Sequence, residues 1–176
     1  MISFNLISPE GDLSAVVQVL NASHGTVAKQ FGFTQVTNPT NNAFIDMATL
    51  RVQLNAGIRL YGLSVDDVLI GCIAVEESTK EAETFYIEKV SVLPEYRNQG
   101  YGVELMNFAT ELILKAGGKF VSIALIDSNA KLKSWYLSQG FQQVGVKAYE
   151  HLPFDVCFMR KELNASKKAG MQEKTE

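Results

Sequence analysis

Apolar and polar residues alternate from Met1 to Ser8 (Ile2, Phe4, Leu6), a period of two that predicts a first strand. Pro9-Glu10-Gly11-Asp12 breaks it. Leu13, Val16, Val17, Leu20 and Val27 then recur at helical spacing, with an interruption expected around Ser23-His24-Gly25. Asn38-Pro39-Thr40-Asn41-Asn42 reads as a loop. A second helix is expected over Ile45–Asn55, with Met47, Leu50 and Leu54 inward and Gly57 ending it.

Ile58–Ser64 and Leu69–Glu77 are β-rich runs joined at Val65-Asp66-Asp67, which predicts a hairpin. Glu83–Leu93 extends it to an antiparallel meander and stops at Pro94, which cannot donate to a ladder. Val103, Met106, Ala109, Leu112, Ile113 and Ala116 trace a helix starting near Gly100–Gly102 and ending at Gly117-Gly118. Lys119–Ile126 reads as a buried strand, parallel to its predecessor because a helix crosses between them. Asp127-Ser128-Asn129 offers N-cap chemistry for a helix through Gln139, stopped by Gly140 in a left-handed cap with Phe141 packing back. Phe141–Tyr149 and Phe154–Leu163 are the last strands. The class is therefore α/β, a mixed sheet with antiparallel strands, in one domain over residues 1–163. The polar tail 164–176 is expected to be disordered.

At 176 residues the chain can bury roughly two-thirds of its unfolded surface. A formal net charge of −3 argues against a nucleic-acid partner, which leaves a basic footprint. No apolar run of about 18 residues and no basic-then-apolar leader is present, so neither a membrane span nor secretion is expected. Cys72 and Cys157 fall inside expected strands and read as buried free thiols, and the expected location is cytoplasmic. His24 and His151 lack metal-ligand spacing, so no metal is implied.

The chemistry concentrates where the Glu83–Leu93 strand runs into a glycine-rich helix start, Arg97-Asn98-Gln99-Gly100-Tyr101-Gly102. The first turn of a helix carries unpartnered N–H groups and a positive dipole end. Gly100 and Gly102 let a diphosphate approach that backbone, and Arg97 adds a charge able to hydrogen-bond phosphate oxygens. A P-loop would need Gly-Lys-Ser/Thr, which does not follow. The dinucleotide pattern fails because Leu105 stands where its last glycine belongs. Arg-x-x-Gly-x-Gly fits, preceded by Val90-Ser91-Val92-Leu93-Pro94. With it the chain resembles the acetyl-CoA site of the GNAT superfamily of N-acetyltransferases. A second block, Asn129 with Tyr136 and Gly140-Phe141, looks like that superfamily's Asn-x(6)-Tyr-x(3)-Gly-Phe motif. Seven residues are nearly two helical turns, so Asn129 and Tyr136 share a helix face. The element order β-α-α-β-β-β-α-β-α-β-β is that of the GNAT fold.

The resemblance is dense over Tyr86–Phe141 and thin over the first 57 residues. It implies direct transfer of an acetyl group from acetyl-CoA (coenzyme A) to a primary amine of a small molecule or a protein. The alternative is a module of the same fold that holds coenzyme A or an acyl-CoA and transfers nothing. Dimerisation is common in that family, so a homodimer is the implied assembly.

The resemblance places Val90, Ser91 and Val92 along the pantetheine arm, where the family strand splays and bulges. It places Arg97, Asn98, Gln99, Gly100, Tyr101 and Gly102 on the pyrophosphate, with Asn129 and Tyr136 completing the cofactor site. Tyr136 is the expected proton donor, since a phenol of pKa ~10 stays protonated at neutral pH. Glu88 is the expected general base, directly or through water, on the same pleat face as Val90 and Val92. Glu83, Glu77 and His151 are weaker alternatives. Lys131 and Lys133 are candidates for the 3′-phosphate; Arg51, Tyr61 and Tyr86 for the acceptor side. Trp135 is expected in the core.

Overall fold

The computed structural model describes residues 1–163, so the expectation for the tail 164–176 lies outside the described residues. The elements are β1 Ile2–Leu6, α1 Ser14–Phe31, α2 Met47–Asn55, β2 Arg59–Val65, β3 Val68–Glu77 and β4 Thr84–Val92. They continue as α3 Tyr101–Lys115, β5 Phe120–Ile126, α4 Ala130–Ser138, β6 Gln142–Lys147 and β7 Val156–Glu162. Short 3₁₀ turns at Asn42–Phe44 and Pro94–Tyr96 punctuate the connections. The element order is the expected one.

One seven-stranded sheet runs β1-β2-β3-β4-β5-β7-β6. The β2–β3 hairpin closes through Asp66 and Asp67, both at positive φ, the two-residue turn that matches strand twist. All pairings are antiparallel except β4 with β5. Helices α1 and α2 cover one face: Leu13, Val16, Val19, Leu20, Leu50 and Leu54 pack with Leu60, Cys72 and Ala74. Helix α3 and Tyr136 of α4 cover the other, with Leu105, Met106, Ala109 and Ile113 against Ile73, Val75, Phe85 and Ile87. Both cysteines are free and buried. Among the described residues no helix is long and apolar enough to cross a membrane.

Two local expectations are corrected. Helix α1 runs unbroken through Ser23-His24-Gly25, because Ser23 is buried and His24 is bonded to β4. Helix α2 begins at Met47 rather than Ile45. Asp46 caps it, accepting from Thr49 N–H at 2.7 Å, and this leaves Met47 exposed.

Candidate active site

Strand β4 is nine residues long, yet only Thr84, Tyr86 and the Phe85 between them pair with β5. Beyond Tyr86 the two strands part, while β5 stays paired with β7 along its whole length. The sheet therefore opens a wedge between the C-terminal halves of β4 and β5. Leu93 N–H bonds Ile70 on β3 at 2.8 Å, and alternation along the strand turns the peptide groups of Val90 and Val92 toward the wedge. The Val92 carbonyl is taken by Arg97 Nε, and the Val92 N–H and the Val90 peptide group are left for an extended ligand.

A bulge shapes the same stretch. The β3–β4 register pairs Gly71 with Val92 and Cys72 with Ser91, then Ala74 with Glu88, so Lys89 and Val90 together oppose Ile73. Lys89 sits at φ +52, a left-handed conformation rare for a side chain with a Cβ. The extra residue reverses the pleat, which corrects the expected geometry of Glu88. Val90 and Val92 pack with Ile87 on the α3 face, whereas Glu88 lies beside Ala74 on the α1 face. Burial raises the Glu88 carboxyl above the usual range; Lys89 opposes the shift and the neighbouring Glu76 carboxyl adds to it.

Past β4, the loop before α3 presents donors. Asn98 (φ +61) and Gly100 (φ +89) are left-handed, and Gly100 is the N-cap of α3 without a side-chain cap bond. Among the described residues none accepts a hydrogen bond from the N–H groups of Asn98, Gln99, Gly100, Tyr101 or Gly102. Consecutive N–H groups in such a loop form an anion-binding concavity, reinforced by the helix dipole. Gly102 is needed for packing, since a Cβ there would lie 3.2 Å from the Trp135 indole. Trp135 is half-buried at that contact, at the edge of the core.

Arg97 is committed differently from the sequence expectation. Its Nε donates to the Val92 carbonyl at 3.1 Å, Nη1 to Thr26 Oγ1 at 3.0 Å and Nη2 to the Ser23 carbonyl at 2.8 Å. It clamps the end of β4 to α1, and two of its five N–H donors remain. Ser91 likewise turns its side chain out of the wedge, to His24 Nε2 at 3.0 Å.

On the far side of the wedge, Asn129 caps α4, its Oδ1 accepting from Leu132 N–H at 3.2 Å. The helix ends in a Schellman motif: Phe141 N–H bonds the Tyr136 carbonyl and Gly140 N–H the Leu137 carbonyl, with Gly140 at φ +89. The Phe141 ring meets Tyr136 edge-on at 5.6 Å, and Trp135 meets it at 4.9 Å. Tyr136 is thus fixed and buried, yet its hydroxyl bonds no described residue and is absent from the sealed, unpartnered atoms (Ser23 Oγ, Asn38 Oδ1, Gln53 Oε1). Burial pushes its phenol well above the ordinary value, so it stays protonated.

Other candidates lie elsewhere. Lys133 is paired with Asp127, and Lys131 is exposed on the helix surface. Arg51 bonds the Pro9 and Gly11 carbonyls. Tyr61 packs on Phe108 of α3, away from the α1 face, and Tyr86 reaches Ser78 at 3.3 Å. Glu83 pairs with Lys119, and Glu77 and His151 are exposed.

Sequence reading missed Lys89, which is only 6% exposed and donates to Asn42 Oδ1 at 2.9 Å. It also missed His24, held down to about 4 by burial and by the charges of Lys89 and Arg97. No glycine marks the bulge, and the His24–Ser91 contact spans 67 residues.

The architecture recurs in solved structures. The ribosomal-protein-S18-alanine N-acetyltransferase from Escherichia coli aligns with a TM-score of 0.71 at 15% identity, over 97% of this chain and 99% of its own. The PaiA N-acetyltransferase from Thermoplasma acidophilum, in complex with coenzyme A, aligns with a TM-score of 0.69 at 21% identity, over 93% and 99%. In sequence, the thialysine N-epsilon-acetyltransferases of Bos taurus and Mus musculus are each 31% identical over 67 residues, 38% of this chain. The match spans 39% of those relatives' length. The family model described as acetyltransferase (GNAT) family matches residues 28–141, and the chain belongs to that family.

Proposed function

We propose that the protein transfers the acetyl group of acetyl-CoA directly to a primary amine. One observation carries this reading. The wedge beside Val90 and Val92 leads along the chain into the unpartnered N–H run Asn98–Gly102, and Trp135, which packs on Gly102, also packs on the Tyr136 ring.

The donor set fits acetyl-CoA. The N–H groups of residues 98–102 suit its pyrophosphate, and the Val90 peptide group and the Val92 N–H suit the amides of its pantetheine arm. When bound, it supplies an activated acetyl thioester. Glu88 approaches from the α1 face, and its raised pKa suits it to take a proton from an incoming ammonium, directly or through water. Tyr136 approaches from the α4 side with its proton held, ready to donate to the departing sulfur. Base and acid thus stand on opposite faces of the wedge, so the amine enters from the α1 side.

Thermal unfolding with and without acetyl-CoA tests the reading. At about 100-fold its dissociation constant the ligand adds ~2.7 kcal/mol, or roughly 5–10 °C for a domain of this size. Asn98→Asp with Gln99→Glu changes two exposed residues, leaves the apo protein intact and should abolish the rise by repelling pyrophosphate. No rise in the native protein would overturn the cofactor site. A rise without thiol release for any amine would favour a coenzyme-holding module.

A further inference from the structure

Where β4 leaves β5 behind, two of its carbonyls are bonded by side chains. Ser91 Oγ donates to the Lys89 carbonyl at 2.9 Å, and Arg97 Nε to the Val92 carbonyl at 3.1 Å. Both side chains lead to one turn of α1. Ser91 meets His24 Nε2 at 3.0 Å, and Arg97 donates to the Ser23 carbonyl and to Thr26 Oγ1. The turn Ser23–Thr26 therefore holds β4 at two points, with Val90 and Ser91 between them. On the sheet side β3 presses close, since a Cβ on Gly71 would lie 2.6 Å from the Ser91 carbonyl.

Counting donors orders the protons of the His24 contact. A serine hydroxyl carries one proton. That of Ser91 goes to the Lys89 carbonyl, so Ser91 Oγ must accept from His24. The imidazole is neutral above about 4, because burial and the charges of Lys89 and Arg97 oppose a second proton. His24 is then the Nε2–H tautomer, and the bonds run in one direction, from His24 Nε2–H to Ser91 Oγ–H to the Lys89 carbonyl. Ser91 is 2% exposed, so solvent has no easy access to replace a missing member. The relay ends on the residue that must stay left-handed, Lys89 at φ +52.

We infer that His24 and Ser91 are positioning residues for the coenzyme A site. Their relay fixes the Lys89 peptide, and with it the direction in which the Val90 peptide group and the Val92 N–H face the wedge. Both act through Lys89, since the Ser91 side chain is turned out of the wedge toward α1. The inference rests on the acetyl-CoA reading for the ligand, whereas the relay is complete in the protein.

Two measurements test it. Proton–nitrogen correlation NMR of the imidazole rings reports which nitrogen carries the proton. His24 should show the Nε2–H tautomer, and Ser91→Ala should shift its Nε2 signal. An Nδ1–H tautomer, or a signal indifferent to Ser91→Ala, would overturn the relay. Calorimetric titration with free coenzyme A is the second measurement, with folding of each variant checked by its melting temperature. His24→Leu, which removes the donor, and Ser91→Ala should each weaken binding by about 10-fold. His24→Gln, whose amide can donate to Ser91, should bind within about 2-fold of the native protein. The double variant His24→Leu with Ser91→Ala should bind no worse than the weaker single, because links of one chain do not add. A glutamine variant as weak as the leucine variant would overturn the inference. So would single variants that lose stability but keep the native affinity for coenzyme A, which would assign the pair to packing alone. A native protein that does not bind coenzyme A would sink the cofactor reading and the positioning role with it, while the NMR spectra still judge the relay.

Discussion

Glu88 and Lys89 are neighbours in the chain, yet both side chains lie on the α1 face, an arrangement a regular strand forbids. The bulge achieves it by holding Lys89 left-handed at φ +52. It thereby places a carboxyl of raised pKa and a buried ammonium together on the α1 face, while Val90 and Val92 stay on the α3 face.

The backbone of Lys89 can be tested apart from its charge. Lys89→Ala and Lys89→Gly both remove the ammonium and its bond to Asn42. At an ordinary strand position glycine is the worse by roughly 0.5–1 kcal/mol, but a Cβ in the left-handed region costs about 1–2 kcal/mol. The order should therefore invert, with the glycine variant more stable by ~0.5–1 kcal/mol in urea unfolding. An alanine variant as stable as the glycine variant would mean that β4 carries no such bulge.

Glu88 and Glu76 are coupled. Glu88→Gln should lower kcat by about 10²-fold or more if the carboxylate is the base. Glu76→Gln is the more discriminating change. It removes a like charge that helps hold Glu88 protonated, so the acidic limb of kcat/KM should move to lower pH while burial keeps part of the shift. A limb that stays in place would show that the limb reports another group.

Tyr136 offers a clean separation of structure from chemistry. Its ring is fixed by Trp135 and Phe141, but its hydroxyl bonds no described residue. Tyr136→Phe should leave the melting temperature and acetyl-CoA binding nearly unchanged and lower kcat by about 10²-fold, the lower end for general-acid catalysis. Equal loss of stability and activity would assign the hydroxyl a structural role instead.

What the sequence made legible was local. Gly140-Phe141 announces a helix stop because glycine alone takes the left-handed cap cheaply, and the Schellman bonds follow. The loop Asn98–Gly102 was readable for the same reason. Lys89 was not, because its left-handed conformation is imposed by β3 across the sheet, and a lysine gives no hint of it. The unbroken α1 was missed because Ser23 and His24 look like breakers until Arg97 and Ser91, distant in sequence, hold them. Arg97 was expected on the pyrophosphate, but its bonds are to Val92 and α1, contacts that exist only after folding.

His24 gives the fold a pH dependence whose sign can be worked out. Burial, then the charges of Lys89 and Arg97, depress its pKa from 6.5 to about 4. Between those values the unfolded chain binds a proton that the folded chain refuses, so stability falls as pH falls through this window. It is fully present above about 6.5. The loss at pH 4 is at most ~3 kcal/mol, from 1.36 kcal/mol per pKa unit. Glu88 contributes in the opposite sense, since a carboxyl of raised pKa favours folding on the acid side; Asp12 and Asp46, both lowered, lose their contributions only below 3.8. The urea midpoint should therefore decline from pH 6.5 to 4, and His24→Gln, which keeps a partner for Ser91 but cannot titrate, should flatten that decline. A slope unchanged by the substitution would mean that His24 is solvated and that the α1–β4 contact at Ser91 is open in solution.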